Sequence, residues 1–182
     1  SEFGSLLTAE DHFHRMAAML YAERPASAGR VAKLANSEPL FAAWSAAIRK
    51  DAKTAGFVKV VPAEAQKLAG YQFAKALWLR KTGKLKDAAK VMAEAPQDAA
   101  SLIDPDAWWN ERRILARSLW DAGQTKLAYK TASMHAAQSP TSAAEAEFHA
   151  GWIALRALKD PKLAEAHFTR LLSISTTPQS LS

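Results

Sequence analysis

One helical plan, written twice in the C-terminal half, constrains this chain more than any other feature of its sequence. The run DPDAWWNERRILARSLWDAGQTKLAYKTASMHAAQSP from Asp104 is followed by AAEAEFHAGWIALRALKDPKLAEAHFTRLL, and each reads as helix, tight turn, helix. In both, an alanine stands seven residues before the turn marker, Ala116 before Gly123 and Ala154 before Pro161. In both, a proline closes the unit seventeen residues after that marker, Pro140 and Pro178. Ala76 likewise lies seven residues before Gly83, although Pro96 closes that unit sooner. Hairpins recurring at roughly 40 residues are the signature of an α-solenoid, because one hairpin cannot bury its apolar face without a stacked neighbour. The expected fold is therefore all-α, a superhelix of about five stacked TPR-like hairpins.

Composition agrees with helix. Alanine is abundant, glycine occurs only 7 times in 182 residues, and β-branched runs are nearly missing; alanine loses no side-chain entropy in a helix. The absence of cysteine removes disulfides, thiolate metal sites and cysteine nucleophiles together. No apolar run reaches the roughly 20 residues that a bilayer-spanning helix needs, so no membrane span is expected. Ser1-Glu2-Phe3-Gly4-Ser5 reads as a cloning scar, which leaves 6–182 as one helical domain fragment with any export signal outside it.

The net charge of +6 is unevenly placed: 49–90 holds eleven Lys/Arg against Asp51, Glu64 and Asp87, a local +8 that leaves −2 elsewhere. Such a bias could attract an acidic polymer. No helix-turn-helix or base-stacking motif accompanies it, however, and cations opposite an apolar stripe are the ordinary solvated face of a helix. Nucleic acid is not an expected partner.

Local signals place the elements. Thr8 with Asp11 is a weak capping box for a helix carrying Phe13, Met16, Ala17 and Leu20. Pro25 breaks it, and RVAKLA is expected as a short helical partner. A second hairpin runs from Pro39, turns near Gly56 and returns through FVKVV, which reads either as a helical turn or as an extended connector. Pro62 is expected at the first position of the next helix, which turns at Gly83. After Pro96, QDAASLID is a connector with room for a helical turn. Asp104-Pro105 and Asp160-Pro161 each combine a capping acid with a first-turn proline, and Ser142 with Glu145 has capping-box spacing. Small residues, Ala116, Ala128, Ala132, Ala150, Gly151, Ala154 and Ala164, let helix axes approach. Trp109, Leu115, Leu119, Tyr129, Trp152, Leu155 and Phe168 are expected to fill the space between.

With WWNERRILAR at 108–117 and AEFHAGWIALR at 146–156, the sequence resembles the soluble lytic murein transglycosylases of Gram-negative bacteria, in the alphaproteobacterial version. The resemblance is most specific over 104–178 and looser back to LTAEDHFHRM. It covers only that family's N-terminal helical superhelix. It implies a periplasmic protein whose parent enzyme cleaves the MurNAc–GlcNAc β-1,4 bond and closes a 1,6-anhydro ring, with one glutamate acting as acid and then base. That glutamate belongs to a lysozyme-like domain expected beyond Ser182, and its Glu-Ser motif is not found here. The chain itself is therefore expected to be a non-catalytic scaffold, needing no cofactor, with peptidoglycan glycan strands and other cell-wall proteins as partners. A different class of reading, a TPR-like protein-interaction adaptor, fits the hairpin lengths but matches the TPR consensus poorly at Gly123 and Tyr129.

Candidate contact residues follow from chemistry. Glu145, Glu147 and His149 cluster on one helix, but without H-E-x-x-H spacing or a third ligand no metal site is expected. Trp108 and Trp109 point about 100° apart: either the outer ring meets glycan, or both pack between hairpins. Glu111, Arg112, Arg113 and Arg117 are expected in ion pairs, and Arg112, if it lines an open concave surface, would meet peptide carboxylates. His12 and His14 face different ways, and His135 and His167 have no partner visible in sequence. The candidate glycan or partner contacts are Trp108, Trp109, Arg112, Glu147 and His149.

Overall fold

The computed structural model describes residues 7–175. The Ser1–Ser5 scar and the closing Pro178 lie outside them. Regular structure among the described residues is entirely helical, and the chain divides into two compact units, 1–82 and 83–182.

The first unit holds α1 (Ala9–Tyr21), α2 (Pro25–Ala28), α3 (Glu38–Arg49), α4 (Thr54–Val60), a 3₁₀ turn at Ala65–Lys67, and α5 (Ala69–Lys81). α1 opens on the expected capping box: Asp11 N donates to Thr8 Oγ1 at 3.2 Å, and Thr8 N donates to the Asp11 carboxylate at 2.8 Å. RVAKLA forms a chain of turns and not a helix. Its backbone bonds are largely of the tighter i−3 kind, and Asn36 enters the left-handed region at φ 48°, ending the segment before a regular ladder forms. The expected turn at Gly56 is also corrected: α3 stops at left-handed Lys50 (φ 56°), the Asp51 carboxylate accepts from Lys53 N, and Gly56 lies inside α4. FVKVV is helical through Val60 and extended at Val61. Pro62 opens no helix, because a turn and Leu68 in extended conformation precede α5.

The core of this unit is aromatic. Tyr21 meets Trp44 edge to face at 4.7 Å and Phe73 at 4.9 Å, and Trp44 is fully buried. A Cβ at Gly70 would stand 2.7 Å from Trp44 Cζ3, so the missing side chain is what lets the indole lie against α5. Leu40, Ala43, Val58, Val61 and Tyr71 form a further cluster joining α3, α4 and α5.

The second unit holds α6 (Leu85–Glu94), α7 (Ala99–Leu102), α8 (Pro105–Asp121), α9 (Thr125–Ser133), α10 (Pro140–Ile153), which runs into a π-helical turn at Ala154–Leu158, and α11 (Pro161–Ser175). Caps fall where short-range chemistry puts them. Asp104 accepts from Ala107 N at 2.9 Å and Asp160 from Leu163 N at 3.0 Å, each followed by proline. α10 starts earlier than the Ser142–Glu145 spacing predicts: Ser139 Oγ accepts from Ser142 N at 3.2 Å, and Pro140 is the first helical residue. Pro140 therefore begins an element; its fixed φ and missing N–H suit that position. Asp106 on α8 accepts from Gln138 N at 2.9 Å and Ser139 N at 3.3 Å, which fastens the loop before α10 to α8.

α8 pairs with α9 and α10 with α11, and α9 also packs on α10. The predicted small residues are buried at their crossings, and a Cβ at Gly151 would stand 2.8 Å from Phe168 Cε1. Trp152 and Leu155 depart from the expectation that they fill the interior, being 40% and 37% exposed.

One turn recurs. Ala22-Glu23-Arg24, Thr82-Gly83-Lys84 and Ala122-Gly123-Gln124 each place a left-handed residue (φ 53°, 78° and 72°) between a helix end and a residue near φ −82° to −109°, ψ 56° to 62°. At the third copy Gly123 N donates to Trp120 O and Gln124 N to Leu119 O, both at 2.8 Å, the paired bonds of a Schellman motif; Glu23 and Arg24 repeat them on Leu20 O and Met19 O.

Candidate functional site

The chemistry of the second unit is organised by three residues of α10. Glu145, Glu147 and His149 alternate around the helix, and the structure separates what sequence proximity suggested was one cluster. Glu145 and His149 face α8, while Glu147 turns inward towards α11 and the loop after α9.

Glu145 accepts from Trp109 Nε1 at 2.9 Å and pairs with Arg113; His149 Nε2 lies 4.0 Å from it. Burial pushes the Glu145 carboxyl up, but the bonds from Trp109 and Arg113 outweigh it and the net displacement is downward. His149 is displaced down, chiefly by burial and against the attraction of Glu145. Beside this pair an open groove of about 370 Å³ runs between α8 and α10, its walls including Arg113, Arg117, Trp120, Phe148, His149 and Trp152. Phe148 and Trp152, one helical turn apart, lie nearly parallel (15°, centroids 6.1 Å) and are 46% and 40% exposed. The Arg156 guanidinium lies 5.4 Å over the Trp152 ring.

Glu147 sits in a buried polar network. Its Oε2 is 2.6 Å from His167 Nδ1, and its Oε1 accepts from Arg170 Nε at 2.9 Å and lies 3.3 Å from His135 Nε2. Tyr129 Oη closes the far side, 2.9 Å from His167 Nε2. Ala137 N donates to His135 Nδ1 at 3.1 Å, so the proton of that imidazole belongs on Nε2, where it reaches Glu147. His167 Nδ1 faces a conflict: Glu147 Oε2 wants a donor from it, while Arg170 Nη2, 2.7 Å away, wants an acceptor. Donation to Glu147 with Tyr129 donating to Nε2 satisfies the larger number of groups. Burial pushes the Glu147 carboxyl up; the bonds from Arg170, His167 and His135 more than offset this and leave it low. Glu145 and Glu147 thus each draw hydrogen bonds from several side chains and hold them together.

The remaining candidates are buried. Trp108 and Trp109 stand at 0% and 1% exposure, so of the two alternatives it is packing between helices that the structure shows, and neither is an outer indole. Trp109 is enclosed by Glu145, His135 and His149, and Trp108 lies beneath the Arg112 guanidinium at 5.8 Å. Arg112 is itself 1% exposed and donates to Met92 O at 2.7 Å instead of forming the expected ion pair. Of the five predicted contacts, then, only Trp109 and His149 reach the same groove. The exposed pair Phe148 and Trp152 is not among the expected contacts, Trp152 being expected in the interior, although the four-residue spacing places both on one helix face. Among the described residues no group of three or more side chains is arranged to hold a metal ion, and no helix is long and apolar enough to cross a membrane.

Comparison with protein-family models, with curated protein sequences and with solved structures finds no match to this chain.

Proposed function

We propose that this chain is a non-catalytic superhelical scaffold of a periplasmic peptidoglycan lytic transglycosylase, contacting glycan strands through the groove between α8 and α10. The observation that carries the reading is the exposed Phe148 and Trp152 pair set beside Arg113 and Arg117. Sugar rings stack their C–H faces on such aromatic surfaces, and guanidiniums suit the carboxylates of attached peptides. The recurrent left-handed turn, 40 residues apart at Gly83 and Gly123, supports stacked hairpins of one plan. In this reading bond cleavage belongs to the lysozyme-like domain of the parent enzyme, and Glu145 and Glu147, held low by the hydrogen bonds they accept, do not suit a general acid.

The test is co-sedimentation of the chain with purified murein sacculi, with the supernatant assayed for 1,6-anhydro products. Binding that drops roughly tenfold in Trp152→Ala, the loss of one stacked ring, is the expected result, with no product released. Release of anhydro products by the chain alone would overturn the scaffold assignment. The same recurrent turns also suit a TPR-like adaptor; one stoichiometric protein partner together with no murein affinity would select that reading instead.

A further inference from the structure

A second groove, of about 340 Å³, lies between α6 and α9 and has a different chemistry. Ala89, Ala93, Leu127 and Met134 give it apolar walls, and Lys86, Lys90 and Lys130 stand exposed around it. None of the three lysines makes an ion pair among the described residues. Glu94 is the only carboxylate among the lining residues, so four cations, counting Arg112, face one anion.

Arg112 reaches this groove from below, out of α8. Its Nη2 is committed to Met92 O, yet its Nη1 is buried with no hydrogen-bond acceptor. A buried guanidinium N–H without a partner is costly, because the desolvation of a charged donor is not offset. The face of Trp108 compensates only part of the charge. Burial pushes the Arg112 guanidinium down to about 10, which still leaves it cationic at neutral pH.

We propose that the groove between α6 and α9 is an oxyanion-binding site, with Arg112 Nη1 as the anchoring donor and Lys86, Lys90 and Lys130 drawing the anion in. Its apolar walls suit an oxyanion carried on a short apolar stem, as in a peptide α-carboxylate. The site is separate from the glycan groove and does not rest on the scaffold reading.

Titrations at fixed ionic strength with N-acetyl-leucine, its uncharged amide and inorganic phosphate, followed by amide NMR shifts and thermal unfolding, test the site. N-acetyl-leucine is expected to move signals of α6 and α9 and raise the midpoint of unfolding, while the amide does neither. Arg112→Met removes the unpartnered Nη1 N–H together with the donor to Met92 O, so its fold is checked by its unfolding midpoint, and it should weaken binding roughly 10- to 100-fold, as for loss of a charged hydrogen bond. Lys90→Gln with Lys130→Gln leaves the core untouched and should weaken it less. Phosphate binding as well as N-acetyl-leucine supports the site and assigns it to free anions; N-acetyl-leucine alone supports it and assigns it to peptide carboxylates. Equal responses to the acid and the amide, unchanged binding in Arg112→Met, or no response to either anion overturns the proposal.

Discussion

The two units are both helical, yet they fill their interiors differently. In the first, Tyr21, Trp44 and Phe73 pack ring against ring, and the buried polar residues are His12, Ser45 and Thr54. In the second, Glu111, Arg112, Thr131, Glu147 and His167 are buried. Apolar packing is insensitive to protonation and tolerates isolation. A buried ionic network stabilises only while every partner holds its charge and place, so it makes the second unit conditional on its surroundings. The difference teaches where function is to be sought: the unit that takes charge into its interior is the one bearing both grooves.

The largest expected effects compare these cores directly. Trp44→Ala should destabilise the first unit by about 4 kcal/mol, through lost burial and the cavity left behind. Glu147→Ala should cost the second about 3 kcal/mol, because Arg170 and two imidazoles lose the acceptor they converge on. Urea unfolding followed by amide signals in each unit checks both. A Glu147→Ala effect near zero would mean that the network stores no stability and that the contrast between the cores is only compositional.

Acid should separate the units next. His135 and His149 are displaced below the imidazole value of 6.5, by burial first, so their neutral forms favour the folded state. That contribution is complete above about pH 6.5 and is lost as pH falls through the lowered folded values. Glu145, Glu147 and Asp106 are displaced down from their carboxyl values despite burial, by the hydrogen bonds they accept. Their contribution is complete above about pH 4.5 and is lost on further acidification. Amide protection factors, which correct for the slower intrinsic exchange in acid, should therefore fall in α8–α11 before α1–α5 as pH is lowered from 7 to 4. His135→Gln should remove part of the first stage. Simultaneous loosening of both units would break the comparison.

Short-range chemistry was legible where a capping acid or a left-handed glycine marked it, though not at Gly56, Pro62 or Ser142, and long-range partnership was not. Asp104-Pro105, Asp160-Pro161 and the Gly83 and Gly123 turns are settled within three or four residues, so reading them needs no tertiary knowledge. Lys50 closes α3 in the left-handed region without any glycine to announce it. Glu147 finds His135 twelve residues back and His167 twenty residues on, contacts that exist only once α9, α10 and α11 are assembled. Phe148 and Trp152 sit four residues apart as core residues would, and only the path of α8 leaves them facing a groove. Trp108 and Trp109 are buried for the converse reason: both sides of α8 are covered where they emerge, although Trp109 still lines the groove.

The smallest effect sharpens the comparison at a single residue. The turn after α1 and the turn after α8 share their backbone bonds, but the left-handed position is Glu23 in one and Gly123 in the other. A side chain in that conformation costs about 1–2 kcal/mol, whereas glycine returns about 0.4–1 kcal/mol through the extra freedom of the unfolded chain. Strain therefore exceeds entropy. Glu23→Gly should stabilise the first unit by about 0.5–1 kcal/mol, and Gly123→Ala, which has no neighbour within 4 Å to clash with, should destabilise the second by a similar amount. Shifts of urea midpoint in these opposite directions would show that one turn serves both units and is only partly optimised in the first. Shifts of the same sign would mean that side-chain context, and not the shared backbone, decides the stability of each turn.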